Sequence, residues 1–274
     1  MSEYEREVLM KLSEAQLEQY EEQGFLLLHA YFSSSEIEFV RSEVPALLSK
    51  ESKARVFEEN RRAVRAIHGC HLESEVMRRL TMHPKMLAPV GQIIKSEVYV
   101  YQFKINVKAA FDGESWPWHQ DFKHWQEEDG LRSPQILSAA VYLDDINEFN
   151  GPIYIIPGSH KEAVLETEEL EMSGWKKKYR ADLRYSVSRE TVTKLIEKRG
   201  MISTKAPPGS VLFFHSNLVH GSASNITPRN RWLVIVTYNS VNNVPASTRE
   251  PRDEFLVGRD HAPLQPLAWE SDSK

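Results

Sequence analysis

Residues 97–122 read EVYVYQFKINVKAAFDGESWPWHQDF, and this stretch decides how the rest of the chain is interpreted. Its first part, 97–111, is rich in Val, Tyr, Phe and Ile and is followed by a turn at Gly113, which predicts a β-strand. Further apolar runs, separated by Gly, Pro and Asn turns, predict strands at 135–146, 152–158, 209–215 and 231–239. The second half of the chain is therefore predicted to be mainly β.

The first third of the chain carries helix signals instead. Ser13 and Gln16 have the spacing of a capping box, and Gly24 is placed as a helix-stop glycine. The expected elements are a helix at 15–23, a buried strand at 25–32, a helix at 36–50 kinked by Pro45, and a helical pair over 74–95 interrupted at Pro84 and Pro89.

We expect one domain over residues 1–274, because no linker, repeat or low-complexity tract marks a boundary. Flanking helices at about 5–95 precede a strand core at about 97–240. A highly charged insertion at about 161–200 lies between strands and is predicted to end in a short helix at 188–199. Its length and position are typical of a lid.

The composition is that of an ordinary globular protein, with 41% hydrophobic and 27% charged residues. A net charge of −5 gives no basic footprint for nucleic acid or an anionic membrane, and no apolar run reaches about 18 residues. The N-terminus is acidic and amphipathic, unlike a signal peptide. We therefore expect a cytoplasmic protein, monomer or homodimer, with a small-molecule partner.

The single cysteine, Cys70, excludes an internal disulfide framework and Cys-rich metal sites, and is read as a small core residue. Motifs for nucleotide binding, a nucleophile elbow and common zinc sites are also absent from the sequence. A metal ion would need His, Asp or Glu ligands.

His119 and Asp121 flank Gln120 directly after the strand stretch. In an extended segment residues i and i+2 project to the same side, so this imidazole and carboxylate could bind one ion. The pattern alone is common by chance, and a surface His and Asp in a loop is an equally good interpretation.

His220, in LVHGS (218–222), follows another apolar strand and completes a set of two His and one carboxylate. Such a facial triad leaves three positions open on Fe(II) for a co-substrate and oxygen. Arg231 comes 11 residues later and, if the two strands are antiparallel neighbours, it lies near His220. Its planar fork suits the distal carboxylate of 2-oxoglutarate.

The other histidines and the tryptophans near this motif can also be explained by packing and hydrogen bonding alone. We expect His215 to point away from His220 and His160 to be structural. His68 and His71 either border a substrate or are buried histidines with satisfied hydrogen bonds. Of the tryptophans at 116, 118 and 125, we choose Trp125 as a pocket wall.

Several stretches carry a resemblance to a known family. They are AVRAIHGCH (63–71), the opening stretch (98–122), EDGL (128–131), NGPIYIIPGSH (150–160), PGSVLFFHSNLVHGSASNITPRNRW (208–232) and EPRDEFLVGRD (250–260). With them the chain resembles the phytanoyl-CoA dioxygenase (PhyH-like) branch of Fe(II)/2-oxoglutarate oxygenases. Within that branch it is most similar to bacterial hydroxylases of free amino acids, such as leucine 5-hydroxylase and trans-proline 4-hydroxylase, and is related to ectoine hydroxylases.

The resemblance implies a double-stranded β-helix (jelly-roll, cupin-like) core with flanking helices. It implies Fe(II), 2-oxoglutarate and O2 as cofactor and co-substrates, with His119, Asp121 and His220 as iron ligands. The positions that match the 2-oxoglutarate site are Arg231, Ser222, Asn106 and Ser138. Those that match the substrate side are Gln102, Trp125 and Arg252, the last on a C-terminal segment at about 241–267.

The expected reaction is hydroxylation of an unactivated C–H bond of a free aliphatic L-amino acid, leucine- or proline-like, in specialised-metabolite biosynthesis. Gln120 and Lys104 favour this over an ectoine-type compatible-solute hydroxylase, because the resembling ectoine enzymes usually carry Ser and Arg there. A non-catalytic jelly-roll binding protein is the third alternative, disfavoured by the intact ligand set. Arg252 is the expected anchor for the substrate carboxylate, and Lys104 is its rival.

Overall fold

The computed structural model describes residues 10–58, 62–169, 185–246, 251–267 and 269. Its helices are α1 (Glu14–Gln23), α2 (Ser34–Ser49), α3 (Glu75–Thr81), α4 (Pro84–Ile94), α5 (Asp121–Asp129) and α6 (Arg189–Arg199). The strands are β1 (Phe25–Leu28), β2 (Arg55–Phe57), β3 (Val64–His68), β4 (Val98–Lys108), β5 (Trp116–His119), β6 (Ile136–Tyr142), β7 (Ile153–Ile155), β8 (Thr167–Glu169), β9 (Tyr185–Val187), β10 (Ile202–Ser203), β11 (Val211–His215), β12 (His220–Ser222) and β13 (Arg231–Ser240).

Local sequence explains the N-terminal helices. The capping box predicted at Ser13 and Gln16 is present, and Gly24 ends α1 in the left-handed conformation with φ of 77°. Pro84 begins α4, where its missing N–H costs nothing. The interruption expected at Pro89 is wrong, because α4 continues through it and loses only one internal hydrogen bond.

All the strands pair antiparallel, in sheets that confirm the predicted mainly β architecture. Seven strands form one sheet in the order β1-β11-β6-β13-β4-β3-β2, and four form another in the order β10-β7-β12-β5. One apolar core lies between the larger sheet and the N-terminal helices, and a second joins residues of the two sheets. The second core closes one end of the space in which the polar residues of the candidate site lie.

The register of β4 determines which side chains face that space. β4 pairs with β13 along its length, with Arg231 opposite Lys108 and Leu233 opposite Asn106. Because side chains alternate along a strand, Gln102, Lys104 and Asn106 share one face.

Two peripheral segments complete the described chain. In the insertion, β8 and β9 form a two-stranded ribbon, and α6 confirms the predicted helix. Residues 170–184 of the expected lid lie outside the described residues, so the lid role stays a prediction. The C-terminal segment runs beside β4, where Gly258 N–H donates to the Tyr101 carbonyl at 2.7 Å. Every helix in the described part of the chain is too short or too polar to cross a bilayer.

Candidate metal and ligand site

The two histidines of the predicted triad are held opposite each other by strand pairing. β5 ends at His119, which is the register partner of His220 on β12. Gln120 is extended, with φ of −114° and ψ of 123°, so the next residue, Asp121, returns to the same side as His119. Asp121 then begins α5, a helix that the sequence did not predict.

His119, Asp121 and His220 form a compact, buried group. Their ligand atoms all lie within 4.8 Å of one another. Asp121 Oδ1 is 3.5 Å from His119 Nε2, and Asp121 Oδ2 is 3.9 Å from His220 Nε2. One ligand atom from each of the three residues can converge on a single ion, as a facial triad requires.

Backbone carbonyls fix the ring orientation of both histidines. His119 Nδ1 lies 2.7 Å from the Pro117 carbonyl oxygen, and His220 Nδ1 lies 2.9 Å from that of Leu218. A carbonyl only accepts, so each Nδ1 carries a proton, and in the neutral imidazole the lone pair is then on Nε2. This is the arrangement that orients histidines as metal ligands.

The electrostatics of the cluster suit a cation. Burial would raise the pKa of Asp121, but the neighbouring His220, His119 and Lys104 outweigh it, so this pKa lies well below its ordinary value. Burial and the neighbouring His119 lower the pKa of His220 to about 4. At neutral pH the site therefore offers a carboxylate and at least one neutral imidazole.

The triad opens into a cavity of about 440 Å³ between the two sheets. Its other polar walls belong to the larger sheet and to β5 and β12, and they are Lys104, Asn106, Arg231, Trp116 and Ser222. Three of the four residues predicted for 2-oxoglutarate thus line the same cavity as the triad. The fourth, Ser138, lies on the same face of the larger sheet but bonds Thr237 Oγ1 at 3.0 Å and does not line the cavity.

Arg231 is buried, at 1% exposure, and the oxygens to which it donates are uncharged. Its Nη1 donates to Asn106 Oδ1 at 3.4 Å, its Nε to the Asn150 carbonyl at 3.4 Å, and its Nη2 to the Gly151 carbonyl. Among the described residues, no carboxylate lies within 4.0 Å of the guanidinium. Burial lowers the pKa of Arg231 to about 10, so it stays charged at neutral pH.

The prediction that Arg231 lies near His220 on a neighbouring strand is wrong. The two residues are not on neighbouring strands, because β12 belongs to the smaller sheet and β13 to the larger one. They instead meet across the cavity between the sheets. Ser222, on the His220 side, adds a buried hydroxyl oxygen with no hydrogen-bond partner among the described residues.

The predicted substrate residues gather at a different place. Arg252 donates from Nε and Nη2 to the two Asp129 oxygens at 2.8 and 2.6 Å, and its Nη1 lies 3.1 Å from His124 Nε2. Trp125, at 2% exposure, packs edge-to-face on Tyr101. Tyr101 also donates a hydrogen bond to Asp129.

Gln102 belongs to the same region, since its side-chain N–H donates to the Leu256 carbonyl at 2.9 Å. It therefore anchors the C-terminal segment to β4. None of Gln102, Trp125 and Arg252 is among the described residues that line the triad cavity.

The remaining histidines lie outside the metal cluster of the described residues. His215 packs against His160, with ring centres 5.2 Å apart, and His160 Nε2 lies 3.0 Å from the Glu21 carbonyl oxygen. His68 is the register partner of Lys104, and His71 stacks on Phe103.

Sequence reasoning did not choose Trp116, which lines the triad cavity. The signal that could have identified it is its position on the short strand that ends at His119. Its register partner is Ser222, another cavity residue.

Two histidines and one carboxylate on one side of an ion position, open on the other side to a cavity between antiparallel sheets, define the class of mononuclear non-haem iron oxygenases. The family model for phytanoyl-CoA dioxygenase (PhyH) matches residues 20–232, and the chain belongs to this family.

Individual relatives agree with this assignment. The chain is 35% identical over 252 residues to L-proline trans-4-hydroxylase of Streptomyces griseoviridis, covering 90% of this chain and 93% of that protein. It is 37% identical over 258 residues to ectoine dioxygenase of Bordetella bronchiseptica, covering 90% and 83%. The crystal structure of EctD from S. alaskensis with 2-oxoglutarate and 5-hydroxyectoine superposes with a TM-score of 0.81 at 28% identity, covering 94% and 87%. The predicted family and jelly-roll fold are confirmed.

Proposed function

We propose that this protein is an Fe(II)- and 2-oxoglutarate-dependent dioxygenase that hydroxylates an unactivated C–H bond of a free aliphatic L-amino acid. The observation that carries this proposal is one cavity that holds both the His119–Asp121–His220 cluster and Arg231, a buried cation without a carboxylate partner among the described residues. A metal ion and a dicarboxylate would complete both features.

The residues present fit these two groups. His119 Nε2, His220 Nε2 and Asp121 would hold Fe(II), which with 2-oxoglutarate and O2 supplies the oxidant for C–H hydroxylation. Arg231 would bind the distal carboxylate of 2-oxoglutarate, and the Ser222 hydroxyl would donate to it. The amide of Asn106 orients the Arg231 guanidinium by accepting from Nη1.

The substrate carboxylate has two candidate anchors in the chain, Lys104 and Arg252. The geometry favours Lys104, because it lines the triad cavity while Nε and Nη2 of Arg252 both donate to Asp129. Arg252, Gln102 and Trp125 would then act on the substrate side by fixing the C-terminal segment against β4 and α5. Ser138 would support the 2-oxoglutarate side from the adjoining part of the larger sheet.

The substrate class follows from the relatives, which include a proline hydroxylase and ectoine dioxygenases. Lys104 offers a cation to a substrate carboxylate, which an amino acid and ectoine both carry, and Gln120 does not contribute to the choice. Its side chain is buried and bonds the Asn217 carbonyl and the Leu165 N–H. A role in specialised-metabolite biosynthesis, a cytoplasmic location, one domain and a monomer or homodimer complete the proposal.

The test is a substrate panel. Purified protein is incubated aerobically with Fe(II), 2-oxoglutarate and each standard amino acid or ectoine, while succinate and product mass are followed. We expect an aliphatic amino acid to gain one oxygen atom in step with succinate, and Asp121→Ala to give neither product. Hydroxylation of ectoine alone would identify a compatible-solute hydroxylase. Binding of 2-oxoglutarate without any substrate-dependent succinate would favour the non-catalytic alternative.

A further inference from the structure

Trp116 places an unsatisfied hydrogen-bond donor in the wall of the triad cavity. Its indole Nε1 is buried and has no acceptor among the described residues, although the residue lines the cavity together with the iron-ligand candidates. Buried Trp N–H groups usually find a partner, because an unpaired donor costs free energy comparable to a lost hydrogen bond. An acceptor supplied by a ligand would satisfy it.

A neighbouring arginine holds the indole in this orientation. The Arg65 guanidinium lies over the Trp116 ring, 3.8 Å from its centre. Arg65 donates to Glu58 Oε2 at 2.7 Å and to the Ser115 carbonyl at 2.7 Å, and Glu58 is fully buried. Turning the ring toward another acceptor would break a cation–π contact anchored by a buried ion pair. Arg65 is therefore a positioning residue for the indole.

The charge around the indole points to an anionic acceptor. The Lys104 ammonium lies 5.8 Å from the Trp116 ring centre, and Arg231 lines the same cavity. Two cations and a free N–H donor in one cavity match a carboxylate better than a neutral carbonyl or a hydroxyl, since hydrogen bonds to charged groups are the stronger ones.

We propose that Nε1 of Trp116 donates a hydrogen bond to a carboxylate oxygen of the bound ligand, which makes Trp116 a specificity-determining residue. The inference deepens the proposed function and rests on it. The carboxylate belongs either to 2-oxoglutarate or to the amino-acid substrate, and the two sources are separated by experiment.

The decisive variant is Trp116→Phe, which keeps an aromatic ring under Arg65 and removes the N–H donor together with one ring of the indole. Trp269→Phe is the matched control, because its indole N–H is also buried without a described partner but packs beside Phe39 and His83, away from the cavity. Affinities for 2-oxoglutarate, L-proline and L-leucine are measured by anaerobic calorimetry on Fe(II)-loaded protein. We expect Trp116→Phe to weaken one class of ligand by about 10- to 100-fold and Trp269→Phe to stay within about twofold.

A second measurement detects the hydrogen bond in the wild-type protein itself. In protein labelled with ¹⁵N at the indole and loaded with diamagnetic Zn(II), the Trp116 resonance is assigned by its loss in Trp116→Phe. We expect it to move downfield with the same ligand whose affinity the variant loses.

An indole resonance unmoved by all three ligands, with unchanged affinities in Trp116→Phe, would overturn the inference. If wild-type protein binds 2-oxoglutarate in that case, the proposed function stands and only the role of Trp116 fails. Wild-type protein that binds none of the three ligands contradicts both.

Discussion

Two arginines near the site, Arg231 and Arg252, are surrounded in opposite ways. Arg231 is buried in the wall of the triad cavity and donates to neutral oxygens of Asn106, Asn150 and Gly151. Arg252 lies at the far end of α5 and donates through two nitrogens to the buried carboxylate of Asp129. The fold compensates the second charge with Asp129, whereas the first has no carboxylate partner among the described residues.

This difference indicates which region is built for a ligand. Removing a charge from water is costly unless a partner charge and hydrogen bonds offset the loss. Around Arg252, the ion pair with Asp129 supplies this compensation and holds the C-terminal segment in place. Around Arg231 the missing anion, together with the unsatisfied Ser222 hydroxyl, marks a position that a dicarboxylate would fill.

The largest expected effect comes from the metal cluster on the Arg231 side. His119→Ala, Asp121→Ala and His220→Ala should each abolish turnover and lower the iron retained after desalting, because a facial triad missing one ligand loses affinity and geometry. His215→Ala is the control and should keep both iron and turnover. Full activity in any triad variant would remove that residue from the metal site.

The Arg252 side should respond in stability instead. Among the described residues, Arg252→Met leaves the buried Asp129 carboxylate with the Tyr101 hydroxyl as its remaining side-chain partner, which should lower the free energy of unfolding by about 3 kcal/mol. The double variant Arg252→Met/Asp129→Asn removes both charges and should be less destabilised than Arg252→Met. Urea unfolding followed by circular dichroism measures both, and a single variant as stable as wild type would show that the ion pair does not anchor the segment.

Lys104 is the other cation that lines the cavity, and it should act on a different ligand from Arg231. Lys104→Met should raise the Michaelis constant for the amino acid about tenfold while the constant for 2-oxoglutarate changes less. Lys205→Met, which removes a lysine paired with Glu148 on the surface, should change neither. An effect confined to 2-oxoglutarate would reassign Lys104 to the co-substrate.

The smallest expected effect separates two serines. Ser222→Ala removes an unsatisfied hydroxyl, so it should not destabilise the fold but should raise the Michaelis constant for 2-oxoglutarate a few-fold. Ser138→Ala breaks a bond to Thr237 and should cost about 1 kcal/mol of unfolding free energy with little change in that constant. The reverse pattern would place Ser138, not Ser222, at the ligand.

Local patterns in the sequence predicted much of this arrangement. The long apolar strands became β4 and β13, and the spacing of His119 and Asp121 in an extended stretch gave their common side. The strand pairing that places Arg231 in the cavity could not be predicted in this way. An interval of 11 residues limits its distance from His220, but the sheet that each strand joins depends on non-local contacts.

Helix α5 was missed for a related reason. Its buried residues include Asp121, His124, Trp125 and Asp129, which follow helical spacing but are largely ionisable. A search for apolar periodicity therefore predicts that such a face is exposed to solvent. The helix is polar on its buried side because that side reaches both the metal cluster and Arg252.

The central claim is that Arg231, and not Arg252, holds the anionic co-substrate. Anaerobic calorimetric titration of 2-oxoglutarate into Fe(II)-loaded wild type, Arg231→Leu and Arg252→Leu tests it directly. We expect the affinity of Arg231→Leu to fall by about 30-fold or more, while folded Arg252→Leu binds within about threefold of wild type. Unchanged affinity in Arg231→Leu, or an equal loss in both variants, would contradict the assignment.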